Sequence, residues 1–366
     1  MILYDAPNAR QEESPGNPER CRSLWQHRRR RALATFSLPD PRRDAIAVQD
    51  LSCWILTDGK PGMENQCLGL AEALDLQPVV KRVRLRRPWR ELSPYLRLGA
   101  RFAAGPEGDP VQPPWPDLLI ATGRHSVVPA ISATRRNLNR TFLVQIQDPV
   151  IDPRHFDMVV APRHDQLRGL NVLLTRGALH RVTSQILADA AERMADRFAH
   201  LPRPRVAVLI GGSNDVFKLT PPRMGDVAEM LASMARKTGA GLMVTASRRT
   251  GIDNEAILRA RLTGLPAMMW DGMGENPYFA FLGLADYIIV TGDSVSMVSE
   301  ACSTGKPVYV ISLEGGSPKF RRFHQALRDD GCTRPFTGVL EKWTYSPLND
   351  TQEIAQEIRR RIQERK

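Results

Sequence analysis

Residues 287–311, YIIVTGDSVSMVSEACSTGKPVYVI, place a polar segment and a helical pattern between two apolar runs. The two runs have the length and the β-branched content of buried strands. Ser294 is a preferred N-cap residue for a helix that begins at Val295, and Gly305 before Lys-Pro is a typical helix stop. Strand, helix and strand in this order predict a parallel α/β unit, with the helix N-terminus at the carboxyl end of the first strand.

The same alternation extends along most of the chain. Six apolar runs between residues 52 and 175, and five more between 205 and 312, predict the strands of two parallel sheets. We therefore predict an α/β protein with two Rossmann-like, doubly wound domains that face a central cleft, where ligands of such sheets bind. The predicted limits are 49–180 for the N-terminal domain and 181–350 for the C-terminal domain, with a last helix, 351–366, that packs back on the first.

Composition restricts the class of protein and of partner. The 366 residues carry a formal net charge of +11, which predicts an anionic partner such as a phosphate ligand or an acidic membrane. Hydrophobic residues make up 42% of the chain, as in soluble globular proteins, and no apolar run approaches the ~20 residues of a membrane span. The five cysteines are scattered, so we expect no zinc site, no disulfide framework and a cytoplasmic location. No cofactor is predicted.

Residues 1–48 differ from the rest of the chain. They are rich in Pro, Glu, Gln and Arg, include four consecutive arginines at 28–31, and show little periodicity. This composition predicts a disordered tail. A secretory signal is not expected because the apolar core is missing, and the acidic residues argue against a mitochondrial presequence.

The predicted strand ends of the C-terminal domain offer groups that suit a nucleotide. The helix that begins at Val295 has free N–H groups for a phosphate, and Glu300, almost two turns further on, can accept hydrogen bonds from ribose hydroxyls. Each feature alone is more typical of an ordinary turn or surface, and the combination predicts the site. The predicted ligand-binding residues of this domain are Gly211, Gly212, Ser213, Asn214, Ser247, Arg248, Arg249, Asn276, Asp293, Ser294, Val295, Ser296 and Glu300.

The N-terminal domain offers polar strand ends without a Walker pattern. His125 titrates near neutral pH and can act as a general base, and Asp148 and Asp58 are alternative bases. A histidine bonded to backbone at a helix start, or an aspartate that caps a turn, is at least as common. The predicted catalytic residues are His125, Asp148 and Asp58, and the predicted ligand-binding residues of this domain are Gly59, Lys60, Gly62, Asn65, Gln66, Arg124 and Gln147.

Residues 81–102 combine eight basic side chains and one acidic one with interleaved aromatic and aliphatic residues. Ser93-Pro94 predicts a helix start. Such a segment can lie on an anionic bilayer, and an amphipathic helix packed on its own domain is an equal alternative. No nucleic-acid-binding module is recognisable, so nucleic acid is not expected as a partner.

Seven segments together resemble one known family over residues 50–340, the mitochondrial-fission ELM family, whose bacterial members are classed as glycosyltransferases. The segments are 57-TDGKPGMENQ-66, 122-TGRHS-126, 145-QIQDP-149, 246-ASRRT-250, 276-NPYFAFLGLAD-286, 293-DSVSMVSEACSTGKPVYV-310 and 315-GGSPKFRRFH-324. Members often carry His or Asn where this chain has Met63, which excludes a base there, and many have proline in place of Ser213.

The resemblance implies a GT-B fold, in which the C-terminal domain binds a nucleoside diphosphate sugar, the donor, and the N-terminal domain binds the acceptor. It therefore implies that the predicted ligand-binding residues of the C-terminal domain are donor-binding and that those of the N-terminal domain are acceptor-binding. In this family pattern Glu300 grips the ribose, and residues 294–296 lie near the phosphates. The expected function is metal-independent sugar transfer to an acceptor at the inner face of a membrane. The alternatives are a nucleotide-sugar epimerase and a non-catalytic, membrane-associated recruiting factor.

Overall fold

The structure, a computed structural model, describes residues 50–365, and the tail predicted over residues 1–48 lies outside them. The first six strands form one parallel sheet. They are β1 (Cys53–Thr57), β2 (Val79–Arg82), β3 (Leu118–Thr122), β4 (Phe142–Ile146), β5 (Met158–Pro162) and β6 (Val172–Thr175). Their order in the sheet is β2-β1-β3-β4-β5-β6. We call this sheet and the elements packed on it the first lobe.

A second six-stranded parallel sheet follows. Its strands are β7 (Arg205–Ile210), β9 (Gly241–Ala246), β10 (Ala267–Met269), β11 (Tyr287–Thr291), β12 (Val308–Ile311) and β14 (Thr333–Pro335), in the order β10-β9-β7-β11-β12-β14. Two short strands, β8 (Phe217–Lys218) and β13 (Glu314–Gly315), pair antiparallel beside it. We call this sheet and its helices the second lobe. The elements of both lobes belong to one compact unit.

Ten α-helices connect the strands of the described residues. Those before residue 200 are α1 (Pro61–Ala73), α2 (Trp89–Leu92), α3 (Arg124–Arg136) and α4 (Ser184–Met194). Those after it are α5 (Pro221–Thr238), α6 (Ile252–Leu262), α7 (Tyr278–Leu284), α8 (Val295–Cys302), α9 (Pro318–Asp329) and α10 (Asp350–Glu364). Within this part of the chain no helix has both the length and the hydropathy needed to cross a membrane.

The β1 strand shows why the sheets are covered on both faces. All five of its residues are buried, and successive side chains point to opposite sides of the sheet. Cys53 and Ile55 pack with residues of α1 and α10, whereas Trp54 and Leu56 pack with residues of α3. A strand that is apolar on both faces therefore requires helices on both faces, which is the doubly wound arrangement.

Helix α10 returns from the second lobe to the first. Ile354, Ala355 and Ile358 are buried in the same core as α1, and Arg359 donates to the carbonyl of Ala73 at 2.8 Å. At its start, the Asp350 carboxylate accepts the backbone N–H groups of residues 176 and 177 at 2.9 and 3.0 Å. The start of α10 is thereby bound to the segment that connects the two sheets, directly after β6.

The two lobes also meet at a second place, beside α9. The buried Asp165, in a single 3-10 turn after β5, forms an ion pair with Lys319 at 2.5 Å. Arg322 donates to the carbonyl of His164 at 2.9 Å. These contacts join a loop of the first sheet to a helix of the second.

The sequence pattern predicts helices over 66–74, over 182–201 and from Ser93, and the structure differs from it at all three. Helix α1 begins at Pro61 rather than at Gln66, because proline suits the first helical turn. The helix predicted over 182–201 ends at Met194 and continues only as a 3-10 turn at Asp196–Phe198. No helix begins at Ser93, whose backbone is extended and whose hydroxyl donates to the carbonyl of Arg124 at 2.8 Å.

Candidate functional site

The N-termini of α1 and α8 approach each other across the gap between the lobes. A Cβ atom built on Gly62, in the first turn of α1, would lie 3.9 Å from the hydroxyl oxygen of Ser296 in the first turn of α8. The Ser294 hydroxyl accepts the N–H of Met297 at 3.3 Å, as an N-cap does. The N–H groups of Val295 and Ser296 have no partner inside the helix. Two positive helix ends therefore face one another in the gap, which suits an anion.

Glu300 lies in a cavity of about 340 Å³ beside this point. Its carboxylate accepts a hydrogen bond from the hydroxyl of Tyr278 at 2.5 Å. The lining residues are Asn65, Arg181, Asn276, Tyr278, Phe279 and Glu300. Asn65 belongs to α1 of the first lobe, whereas the other five lining residues follow the first sheet in the chain. The cavity therefore lies at the gap between the lobes, and Glu300 faces this gap.

Burial controls the charge of this carboxyl group. It raises the pKa of Glu300 to about 7, and the hydrogen bond from Tyr278 acts in the opposite direction. The pKa of the Tyr278 hydroxyl is raised well above its usual value, mainly by burial and then by the neighbouring Glu300. Glu300 therefore titrates near neutral pH and can accept hydrogen bonds from a ligand once it is ionised.

Arg249 has a partner that the sequence did not indicate. One of its Nη atoms forms an ion pair with the fully buried Asp293 carboxylate at 2.7 Å and donates to the carbonyl of Gly212 at 3.1 Å. The same carboxylate accepts the N–H of Gly212 at 3.1 Å. A Cβ atom on Gly211 would lie 2.3 Å from either carboxylate oxygen, so glycine is required there. Part of the Arg249 guanidinium thus neutralises a buried acid, and only the remainder can face a ligand.

Other predicted donor-binding residues also use polar atoms to hold their own loops. The Asn214 side chain accepts the N–H of Phe217 at 2.8 Å, and Ser213 accepts that of Leu219 at 3.0 Å. Ser247 donates to the carbonyl of Gly211 at 2.9 Å. Asn276 accepts the N–H of Tyr278 at 3.1 Å and also lines the Glu300 cavity. Arg248 is exposed, and its side chain has no hydrogen bond or ion pair within residues 50–365.

In the first lobe, the loop after β1 reaches the same gap. Asp58 pairs with Lys60 at 2.9 Å, and the Asp58 side chain is largely buried while that of Lys60 is 72% exposed. Gly59 has a positive φ of 85°, which glycine adopts without strain. The Gln66 side chain is buried and donates to the carbonyl of Gly62 at 3.2 Å. Among the predicted acceptor-binding residues between 59 and 66, Asn65 lines the Glu300 cavity.

His125 is the second residue of α3, at the end of β3. Its pKa is lowered first by burial and then by the charges of Arg124 and Lys60, against the opposing effect of Asp58. The imidazole is therefore neutral near pH 7. Its Nε2 atom is buried and has no hydrogen-bond partner in the described chain.

The Asp148 carboxylate instead holds a turn. It is exposed and accepts the N–H of Val150 at 2.8 Å, while the preceding Gln147 has a positive φ of 70°. Within residues 50–365, no hydrogen bond or ion pair joins Asp148 to His125 or to Asp58. The charges of Asp58, Lys60 and Arg124 thus act on the pKa of His125, whereas the charge of Asp148 does not.

Several site residues were not predicted. Tyr278, Phe279 and Arg181 line the Glu300 cavity, and the first two belong to the 276–286 segment that supported the family resemblance. Thr122 and Gln145, at the carboxyl ends of β3 and β4, each have a buried side-chain oxygen without a partner in the part of the chain described. Their position at the ends of predicted strands was visible in the sequence, but the lack of a hydrogen-bond partner for these two oxygens was not.

Two Rossmann-like parallel sheets that face one cleft define the GT-B class of fold, and the predicted fold class is confirmed. Over residues 61–362 the chain matches the family described as Mitochondrial fission ELM1, and it belongs to that family. The predicted family resemblance is therefore confirmed as well.

Curated relatives agree with this assignment. The chain is 30% identical over 414 residues to mitochondrial fission protein ELM1 of Arabidopsis thaliana, which covers 89% of this chain and 97% of the relative. It is 27% identical over 288 residues to an uncharacterized protein of Rickettsia prowazekii, with 67% and 79% covered.

Among solved structures, the chain is similar to UDP-GlcNAc 2-epimerase from Methanocaldococcus jannaschii in complex with UDP-GlcNAc and UDP. The TM-score is 0.51 at 12% sequence identity, and the match covers 85% of this chain and 99% of that one. At this identity the likeness supports the fold alone.

Proposed function

We propose that this protein transfers a sugar from a nucleoside diphosphate sugar to an acceptor hydroxyl, with residues 181–350 binding the donor and residues 49–180 with α10 binding the acceptor. One observation carries the proposal: Glu300 and the N-terminus of α8 belong to the same helix and face the same gap. Glu300 lies six positions after Ser294, which is roughly 9 Å at 1.5 Å per residue. A ribose held by Glu300 can thus carry its diphosphate to the helix end.

The leaving diphosphate would be stabilised by fixed positive groups. The amides of Val295 and Ser296, the facing end of α1 and the exposed Arg248 supply them, and Arg249 adds the part of its guanidinium that Asp293 does not use. Such preorganised dipoles and charges act without a metal ion where negative charge develops.

The proposed reaction replaces one bond to the anomeric carbon by another. The bond from this carbon to the diphosphate oxygen breaks, and its electron pair leaves with the nucleoside diphosphate. The acceptor oxygen forms the new bond and gives its proton to a base. His125 suits this role because its lowered pKa leaves it neutral near pH 7, and Asp58 and Asp148 are the alternative bases.

We also propose that the first lobe contacts an anionic membrane on the cytoplasmic side through residues 81–102. Four large apolar side chains of this segment, Leu92, Tyr95, Leu98 and Phe102, are exposed among its arginines. Large apolar side chains that cluster on a surface mark interaction sites. An acceptor carried by the membrane would then be close to the acceptor lobe.

A second candidate function is a recruiting factor without catalysis. It is favoured by the 30% identity to a relative named for mitochondrial fission, and by the internal use of Ser213, Asn214 and Arg249 for loop contacts. In that case the cleft would hold a nucleotide without turnover or hold none.

Thermal unfolding with UDP, GDP, ADP and CMP tests the donor site. We expect one nucleotide to raise the unfolding temperature, and its affinity to fall at least tenfold in Glu300→Ala because hydrogen bonds to a charged group are worth about 1.5–3 kcal/mol. Glu353→Ala, at an exposed position of α10, is the control and should bind like the wild type. Absence of stabilisation by any of the four nucleotides would refute the donor site.

The responsive base then selects a panel of nucleotide sugars for turnover. Release of nucleoside diphosphate with a glycosylated acceptor supports transfer, an epimerised sugar supports an epimerase, and binding without turnover supports the recruiting factor. Loss of turnover in His125→Ala, but not in Asp148→Asn, would assign the base.

A further inference from the structure

A second cavity lies on the first lobe, between α3 and the chain at 97–102. Its volume is about 460 Å³, and its floor includes Val128 and Ile131, both buried. Four arginines surround this floor, namely Arg97, Arg101, Arg135 and Arg136. No acidic residue is found among the described residues that line the cavity. An apolar floor under four guanidinium groups is suited to an anionic, amphiphilic ligand.

Three of the four arginines around this cavity lie against neighbouring rings. Arg101 lies over the ring of Phe102 at 4.5 Å, and Arg136 lies over the ring of Trp115 at 4.8 Å. Arg97 contacts the ring of His155. The pKa of His155 is lowered by burial and then by Arg97 and Arg135, as expected where positive charges accumulate. Arg135 is exposed and has no side-chain partner within residues 50–365.

The surface beside the cavity is apolar. Leu98 is 85% exposed, Tyr95 69% and Phe102 55%. Phe102 lines the cavity, and Tyr95 and Leu98 are close to its lining residues in the chain. Large side chains are rarely grouped in water at such exposure. A small soluble anion would use the arginines but would leave these three side chains in water. An apolar partner would cover them but would leave the arginines without counter-charges. An anionic bilayer satisfies both groups at once.

We propose that this cavity binds the phosphate headgroup of an anionic membrane lipid, while Tyr95, Leu98 and Phe102 enter the interface beside it. Arginine pairs with phosphate oxygens in bidentate geometry, and the arginine stems can cover the apolar floor. The inference deepens the membrane contact proposed above and does not depend on the nucleotide site. It extends that contact to α3, because Arg135 and Arg136 lie outside the 81–102 segment.

Vesicle flotation of the full chain tests the site, with phosphatidylcholine vesicles that contain or lack phosphatidylglycerol. We expect the wild type to float with the anionic vesicles, and the Arg101→Gln/Arg135→Gln variant to partition about 25-fold less, at about fivefold for each basic side chain near the surface. Lys237→Gln/Arg259→Gln removes the same charge from exposed positions of the second lobe and should partition like the wild type. The arginines at 28–31 are retained in every variant, so a difference reports on the cavity.

Two further measurements separate the possible failures. Leu98→Ser/Tyr95→Ser should also lower flotation, because these side chains are exposed and would enter the interface. The proposal is overturned if the arginine pair behaves like its control, if flotation does not depend on phosphatidylglycerol, or if soluble glycerol 3-phosphate stabilises the wild type while vesicles do not bind. Nucleotide-induced thermal shifts should be unchanged in the Arg101→Gln/Arg135→Gln variant, so failure here leaves the donor site intact.

Discussion

Glu300 is a carboxyl group whose surroundings favour its protonated form. In the folded protein its pKa is about 7, against an ordinary value of 4.5, because burial outweighs the hydrogen bond from Tyr278. A pKa raised on folding contributes stability that is fully present below the unfolded pKa and is lost as the pH rises through the folded one. The window for this loss is therefore pH 4.5 to 7.

We predict that the wild type loses on the order of 2 kcal/mol of unfolding free energy from this group between pH 4.5 and 7, with allowance for partial exposure of the side chain. Glu300→Gln cannot ionise and should lack this part of the pH dependence. Urea unfolding of both proteins at pH 5 and pH 8 measures the difference. Equal pH dependence in the two proteins would show that Glu300 is ionised throughout.

Single residues also show which site contacts can be predicted from a sequence. The position of Glu300 relative to the helix N-terminus could be predicted from helix spacing, since the N-cap Ser294 and Glu300 belong to the same helix, α8. The ion pair of Arg249 with Asp293 did not, because these residues are far apart in sequence and meet only when β9 and β11 flank β7. The hydrogen bond between Tyr278 and Glu300 likewise joins two different helices.

At the scale of elements, the start of α10 depends on one buried side chain. The Asp350 carboxylate is buried and accepts two backbone N–H groups from the crossing between the sheets. Removing it would leave both donors without a partner away from water, which costs about 1–3 kcal/mol for each group. The helix itself would keep its apolar contacts with α1.

We therefore expect Asp350→Ala to lower the free energy of unfolding by about 2–6 kcal/mol in urea titrations, because two donors lose their acceptor. Glu353→Ala, one turn further along α10 and exposed, should change it by less than about 0.5 kcal/mol. A similar small change in both variants would mean that water or a neighbouring group replaces the Asp350 carboxylate.

Elements with a strong apolar pattern were predicted well, and weak ones were not. Strands such as Met158–Pro162 and Tyr287–Thr291 are buried on both faces and read as apolar runs. The edge strand Thr333–Pro335 has a polar sequence and forms because β12 offers a free edge beside it. The helix expected at Ser93 is absent because its hydroxyl bonds to the carbonyl of Arg124, a tertiary contact.

At the scale of the whole molecule, the ion pair between Asp165 and Lys319 couples the lobes. The side chain of Asp165 is 4% exposed and that of Lys319 is 51% exposed, so the carboxylate depends on the lysine for charge compensation more than the lysine depends on the carboxylate. Breaking such a pair leaves a buried charge uncompensated. The ion pair therefore affects the stability of both lobes and not that of a single helix.

We predict that Lys319→Met destabilises the first lobe more than the second and separates one calorimetric unfolding transition into two. The expected cost is about 1–3 kcal/mol, below that of a fully buried pair because Lys319 is half exposed. Lys342→Met, at an exposed position of the second lobe, is the control and should keep the wild-type profile. A single transition shifted equally in both variants would contradict the coupling.

By itself the sequence determined the fold class and the presence of two sheets, and the resemblance of seven segments to a known family determined the family. The fold class and the two sheets follow from apolar periodicity, caps and glycine positions, which depend on neighbours within a few residues of one another. Only the tertiary structure decided which groups remain available to a ligand. The pairing of Arg249, the cavity around Glu300 and the arginine cluster over Val128 all join distant parts of the chain. The burial that raises the pKa of Glu300 likewise arises only when the sheets and helices pack.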